Sequence, residues 1–260
     1  MNEDMSKYVV ISDREYQTPE GEDPGALKFA LGPESYCDAG CAYCGQSHVR
    51  GDPGSLHRGA VQRGVTEAIA RPSTKVVRVN WLGEEPMMAF EVIGPLSRAL
   101  VAAASEHGVF YLANISTHGC RLDLRKLRIL VEECRVIHYE ITLPGPSAGP
   151  GAHRAAGNGM PSLDRIMTVL QAALDDSAVA EASFSLRTNV DSGNSEYIGA
   201  YIDDLARREW LVNERVSFSL IPSRSWSDGV SAIQPMSAAR RPAKAHAERL
   251  TGGGTLYIPM

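Results

Sequence analysis

The sequence predicts an α/β protein built as an open partial (β/α)6 barrel, with short extensions at both ends. Three observations carry this expectation. Short apolar runs of strand length recur along the chain, amphipathic runs with helical spacing separate them, and Gly, Pro or Ser stands at most of the junctions. Six strands are too few to close an eight-stranded barrel, so the sheet is expected to stay open.

The first strand is Ala26–Leu31, ending in Gly32-Pro33. Leu56, Val61, Val65 and Ile69 then recur at nearly helical spacing. Lys75–Trp81 reads as the second strand, and a helix follows from about Met87 to His107, stopped by Gly108. Val109–Ile115 is the third strand, Asp123–Glu133 a helix and Arg135–Thr142 the fourth strand. Ser162 caps a helix running to Asp175, with the apolar stripe Leu163, Ile166, Met167, Leu170 and Leu174. Ala182–Val190 alternates polar and apolar residues, Ser195–Glu209 is a helix, and Val216–Ile221 is the sixth strand.

The expected organisation is an N-terminal arm over residues 1–25, with a hairpin around Tyr8–Ser12, a barrel over 26–222, and a C-terminal extension over 223–260. The extension is expected to pack on the barrel, with a helix around Ala238–Leu250 broken at Pro242. In this architecture chemistry sits on loops at the C-terminal ends of the strands. Pro33–Cys44, Leu82–Pro86, Ser116–Gly119, Thr142–Pro146, Asn189–Gly193 and Pro222–Arg224 are those loops.

Of the 260 residues, 43% are hydrophobic and 22% charged, and the net charge is −5. That balance is ordinary for a globular domain and shows no basic stripe, so no nucleic-acid partner is expected. No run of about 18 consecutive apolar residues occurs, so no membrane span is expected. The acidic start, MNEDMSKYVV, lacks the apolar core of a signal peptide, which points to a cytoplasmic protein. Three of the five cysteines fall within one short segment, a pattern of metal binding rather than of a disulfide framework.

That segment is Cys37-Asp-Ala-Gly-Cys41-Ala-Tyr-Cys44, with the spacing C-x3-C-x2-C. Thiolates hold iron–sulfur clusters, normally four to a [4Fe–4S]. Three thiolates leave one iron open to a substrate or cofactor. Gly40 lets the loop approach a cluster closely. Structural zinc is the alternative for the same spacing, with His48 as its fourth ligand.

The segment resembles the C-x3-C-x-aromatic-C signature of the radical S-adenosylmethionine (SAM) superfamily, with Tyr43 at the aromatic position. The resemblance implies a partial barrel of the radical SAM type, a [4Fe–4S] cluster on Cys37, Cys41 and Cys44, and SAM chelated by the open iron. In that family the cluster cleaves SAM reductively to a 5′-deoxyadenosyl radical, which takes a hydrogen atom from the substrate. Further segments agree. Gly83-Glu84-Glu85-Pro86 resembles the Gly-Gly-Glu-Pro turn that holds the SAM amino group, with Glu84 in place of the second glycine. Ile141-Thr-Leu-Pro-Gly-Pro146 resembles Ser-Leu/Ile-Asp-Gly-Pro, which gives Thr142 a contact to the SAM carboxylate; Pro144 replaces the aspartate.

His153-Arg154 with Gly157-Asn-Gly159 resembles a compressed His-Asp-x-x-Arg-Gly-x-Gly segment, making Arg154 the candidate clamp on that carboxylate. Ser185-Leu-Arg-Thr-Asn-Val190 resembles Arg-x-Asn-Val and brings in Arg187 and Asn189. Asn114-Ile-Ser-Thr-His-Gly119 matches Thr-Asn-Gly in position. There Ser116 is the candidate for the SAM ribose, and His118 is read as a capping or surface residue, with a substrate contact as the alternative. Glu140 shares strand parity with Thr142 and is a further candidate for a cofactor or substrate contact. Cys120 and Cys134 read as ordinary buried cysteines. No catalytic acid, base or nucleophile is assigned.

The likeness is to the peptide-modifying, sulfatase-maturating (SPASM-type) group, but without its C-terminal cysteine-rich domain, so one cluster per chain is expected. It implies a peptide or protein substrate and a reducing partner such as a flavodoxin or ferredoxin. A small metabolite is the alternative substrate, and a non-catalytic zinc-stabilised binding module is the alternative from another class.

Overall fold

The computed structural model describes residues 25–33, 37–39, 58–145, 163–190, 194–207, 213–222 and 256–257. They form one parallel sheet in the order β1-β2-β3-β4-β5-β6-β7, open at both edges. The strands are β1 Ala26–Leu31, β2 Val76–Trp81, β3 Phe110–Thr117, β4 Val136–Leu143, β5 Ser183–Val190, β6 Val216–Pro222 and β7 Leu256–Tyr257. Between the first six lie α1 Arg58–Ile69, α2 Phe90–Glu106, α3 Leu124–Glu132, α4 Leu163–Asp175 and α5 Ile198–Arg207. Short 3-10 turns, Pro86–Ala89 and Ser195–Tyr197, lead into α2 and α5.

The architecture is the open partial (β/α)6 barrel expected from the sequence. Parallel strands in sequential order need crossovers of one hand, and these put the helices on one face of the sheet. The strand residues on that face are buried: Val77, Val79 and Trp81 of β2, Tyr139 and Ile141 of β4, Phe184 and Leu186 of β5. They pack in one cluster with Val65, Leu100, Leu127, Leu170 and Ile202 from the five helices. Each such aliphatic side chain contributes about 1.5–3 kcal/mol on full burial, which makes this layer the main source of stability.

Four features depart from the sequence reading. β3 runs two residues further than expected, to Thr117, and so carries its polar end into the site. Asp123 and Ser195 lie at helix starts rather than inside α-helices; the Asp123 carboxylate accepts from the Lys126 amide at 2.8 Å as the cap of α3. The C-terminal extension supplies a seventh strand, Leu256 and Tyr257 pairing with Phe218 and Ser219 of β6, which is too short for periodicity to reveal. The segment Pro86–Glu106 is long and apolar enough to cross a membrane by length and composition. Its apolar residues are not consecutive, and its Ile93, Leu96 and Leu100 are buried in the core, the pattern of a core helix. The arm before Gly25, the stretch expected to hold a broken helix around 238–250, Tyr43, Cys41, Cys44, His48 and Arg154 lie outside the described residues.

Candidate active site

The chemistry-bearing residues gather at the C-terminal ends of β1, β2 and β3, and Glu85 is their centre. It follows β2 in a turn opened by Gly83, whose φ of 123° lies in the region that favours glycine. Glu85 itself has extended backbone and caps the 3-10 turn that begins at Pro86. Its side chain is 0% exposed. Glu85 Oε1 accepts from the Met87 amide at 3.0 Å and from the Thr117 hydroxyl at 2.6 Å, and Oε2 accepts from the His118 amide at 2.8 Å. Thr117 Oγ1 in turn accepts from the Gly119 amide at 3.0 Å. A buried carboxyl group is tolerable only when its lone pairs are satisfied, and here donors from two strand ends do so.

His118 is not the surface or capping residue expected. It is buried, and it joins three loops. The Cys120 amide donates to His118 Nδ1 at 3.1 Å, so in the neutral ring the proton sits on Nε2. His118 Nε2–H donates to Asp38 Oδ1 at 3.2 Å and lies 3.3 Å from Glu85 Oε2. Arg121 closes the group: its Nε donates to Asp38 Oδ2 at 3.1 Å, and a second guanidinium nitrogen pairs with the same oxygen. Burial alone raises the Asp38 pKa, but the Arg121 and His118 partners outweigh it and hold the carboxyl below its ordinary range.

Asp38 is the residue after Cys37. Cys37 is buried near the end of β1, and its Sγ accepts from the Ala39 amide at 3.4 Å. The Sγ of Cys37, a carboxylate oxygen of Asp38 and a ring nitrogen of His118 all lie within 4.8 Å of one another. A thiol that already receives a backbone N–H suits a thiolate ligand of a cluster, because such bonds stabilise the sulfur's negative charge. Cys41 and Cys44 would complete that ligand set. Cys120 and Cys134 are buried as expected; burial is the main cause pushing the Cys134 thiol up to about 11, so it stays protonated.

The sheet face opposite the helices is polar and half-buried. In the register of the strands, Ser116, Glu140, Ser185 and Ser217 form one row, and Thr142, Arg187 and Ser219 the next. Arg187 donates through Nε to Thr142 Oγ1 at 3.0 Å and through a terminal nitrogen to Glu140 Oε1 at 2.8 Å. One row nearer the N-terminal ends stand Asn80, Asn114, His138 and Ser183. Asn114 donates to Asn80 Oδ1 at 3.0 Å, and His138 Nδ1 lies 2.9 Å from Ser183 Oγ. These rows align because β4 has an irregularity: Ala113 pairs with Val136 but Asn114 with His138, which sets Ile137 out of the ladder. Without that bulge His138, Glu140 and Thr142 would lie on the wrong face.

Of the sequence-assigned residues, Ser116, Glu140, Thr142, Arg187 and Asn189 thus belong to the half-buried face, each on the parity expected. Glu84 is partly exposed beside exposed Gly83, whereas Glu85 and Pro86 are buried. Glu85 therefore acts from beneath the turn, through its bonds to Met87, Thr117 and His118. Asp38, Thr117, His118 and Arg121 escaped sequence reasoning as a group. A cavity of about 270 Å³ between α2 and α3, lined by Phe90, Arg98, Asp123 and neighbours, shares no residue with this cluster.

In fold the chain is similar to several solved structures. One is native anSMEcpe with bound AdoMet and the Cp18Cys peptide, at TM-score 0.60 and 14% identity over 76% of this chain and 51% of that one. Another is native anSMEcpe with bound AdoMet, at TM-score 0.58 and 14% identity over 77% and 52% of the two chains. The chain has the radical SAM partial-barrel fold. Methylornithine synthase (PylB) shares it at TM-score 0.51 and 12% identity, over 88% of this chain and 63% of that one. The chain thus spans half to under two thirds the length of these neighbours. No protein-family model and no curated protein matches it in sequence.

Proposed function

We propose that this protein is a radical SAM enzyme whose [4Fe–4S] cluster is held by Cys37, Cys41 and Cys44. The observation that carries the reading is the position of Cys37. It is buried, with its Sγ within 4.8 Å of a ring nitrogen of His118, whose Nε2 lies 3.3 Å from Glu85 Oε2, at the strand ends where a partial barrel presents its reactive centre. When bound, the cluster would supply the electron that converts SAM to methionine and a hydrogen-abstracting 5′-deoxyadenosyl radical.

The chain's own residues bind and orient. The Gly83–Pro86 turn, held from below by Glu85, would offer its backbone to the SAM amino group. Ser116 would face the ribose, and Thr142 with Arg187 would face the carboxylate, together with Arg154. Glu140, already paired with Arg187, fixes that guanidinium in place. Asn189 continues the same face toward the strand end. Tyr43 stands at the aromatic position of the motif, between Cys41 and Cys44 in sequence.

The substrate proposed is a peptide or protein side chain. Its supports are the peptide-modifying character of the sequence motifs and the peptide bound in one anSMEcpe structure. The likeness to methylornithine synthase keeps a small metabolite as the second candidate. A low-potential flavodoxin or ferredoxin would supply the electron, in the cytoplasm. The experiment is anaerobic reconstitution with iron and sulfide, followed by reduction in the presence of SAM. Formation of 5′-deoxyadenosine supports the reading. A colourless protein holding one zinc ion contradicts it and returns the binding-module alternative.

A further inference from the structure

We propose that His118 is the positioning residue that fixes the segment Cys37–Ala39 to the barrel, acting through its Nε2–H bond to Asp38. This rests on the cluster reading above and adds to it a residue outside the proposed set of thiolate ligands.

The bonding directions support the assignment. His118 has one donor in its neutral form, and the Cys120 amide fixes which nitrogen carries it. That donor meets Asp38, the residue between Cys37 and Ala39, from a strand end some 80 residues away in sequence. The backbone of His118 is tied separately, its amide donating to Glu85 Oε2. His118 is therefore held at its backbone amide and at Nδ1, which aims Nε2–H at Asp38. Arg121 grips the other Asp38 oxygen but is 42% exposed, so its contribution is screened by solvent. His118, with 5% of its side chain exposed, supplies the buried half of the grip. Groups that orient a ligand loop govern how well it keeps its metal, and losing one typically costs about 10- to 100-fold in affinity.

Three substitutions separate this role from a local one. In His118→Gln a side-chain N–H can stand near the Nε2 position. In His118→Asn the amide reaches only the Nδ1 position, where it can accept from Cys120. His118→Ala removes both. Each is reconstituted anaerobically, challenged with a ferrous-iron chelator, and titrated under electron paramagnetic resonance. The proposal expects Ala and Asn to lose iron about tenfold faster or more, with a shifted midpoint potential. Gln should restore both values.

Asn performing as well as Gln, or neither restoring the wild-type values, overturns it. The Gln–Asn comparison stands even if the Ala variant does not fold. Amide hydrogen exchange across residues 37–39 in the metal-free protein gives a second test. Exchange should quicken in Ala and Asn and not in Gln; uniform exchange would refute the tether. A wild-type chain that takes up no cluster would end the enzyme reading, while this exchange test would still decide the role of His118.

Discussion

Glu85 Oε1 lies 2.6 Å from Thr117 Oγ1, and this bond joins the turn after β2 to the end of β3 inside the fold. Thr117→Val keeps the shape and removes the donor. It should cost about 1–3 kcal/mol, the penalty for leaving a buried acceptor short of a partner. Chemical denaturation measures it, and a loss below about 0.5 kcal/mol would mean that the Met87 and His118 amides satisfy Glu85 alone.

Gly119 has a φ of 75°, and a Cβ there would stand 2.9 Å from Ile141 Cγ2 and 3.4 Å from Ile166 Cγ2. Both neighbours are buried and branched, so neither can swing aside easily. Gly119→Ala should destabilise the fold by about 1–3 kcal/mol through strained backbone and crowding together. A thermal midpoint unchanged from wild type would contradict this.

The polar face was legible where the alternation is unbroken. In β5 every second residue from Phe184 to Val190 is buried, and Arg187 and Asn189 stand on the other face as their parity requires. β4 shows where such reading falls short. The bulge at Ile137 hides the face of His138 from a period-two reading that starts at Val136. The role of His118 is not legible locally, because its partners come from distant loops and no local pattern records that Asp38 and Glu85 converge on it. β7 was missed because two residues carry no periodicity.

His138 should titrate below its ordinary value of 6.5. Burial disfavours its charged form and outweighs the attraction of Glu140. A depressed folded pKa gives stability that is full above the unfolded value and is lost as pH falls through the folded one. His138→Asn should therefore narrow the loss of thermal stability between about pH 7.5 and pH 5. An imidazole titrating at or above 6.5 by nuclear magnetic resonance would contradict the burial argument.

Arg187 and Glu140 form a pair that is 38% and 28% exposed, so their contribution to stability is small, on the order of 0–1 kcal/mol. Their importance should show in SAM binding instead. Arg187→Met should weaken SAM affinity about tenfold or more, by losing a charge-assisted hydrogen bond, and barely change the melting temperature. Equal SAM affinity in calorimetry would remove Arg187 from the site and leave Arg154 as the clamp.

Cys37 is proposed to begin a cluster that cleaves SAM. The most direct measurement is 5′-deoxyadenosine formed by the anaerobically reconstituted, reduced protein, compared with Cys37→Ala treated identically. The wild type should form product and hold about four irons per chain, and Cys37→Ala should give neither product nor cluster. Reconstituted wild-type protein that binds iron and SAM yet yields no 5′-deoxyadenosine, or a Cys37→Ala variant that yields as much as wild type, would contradict it.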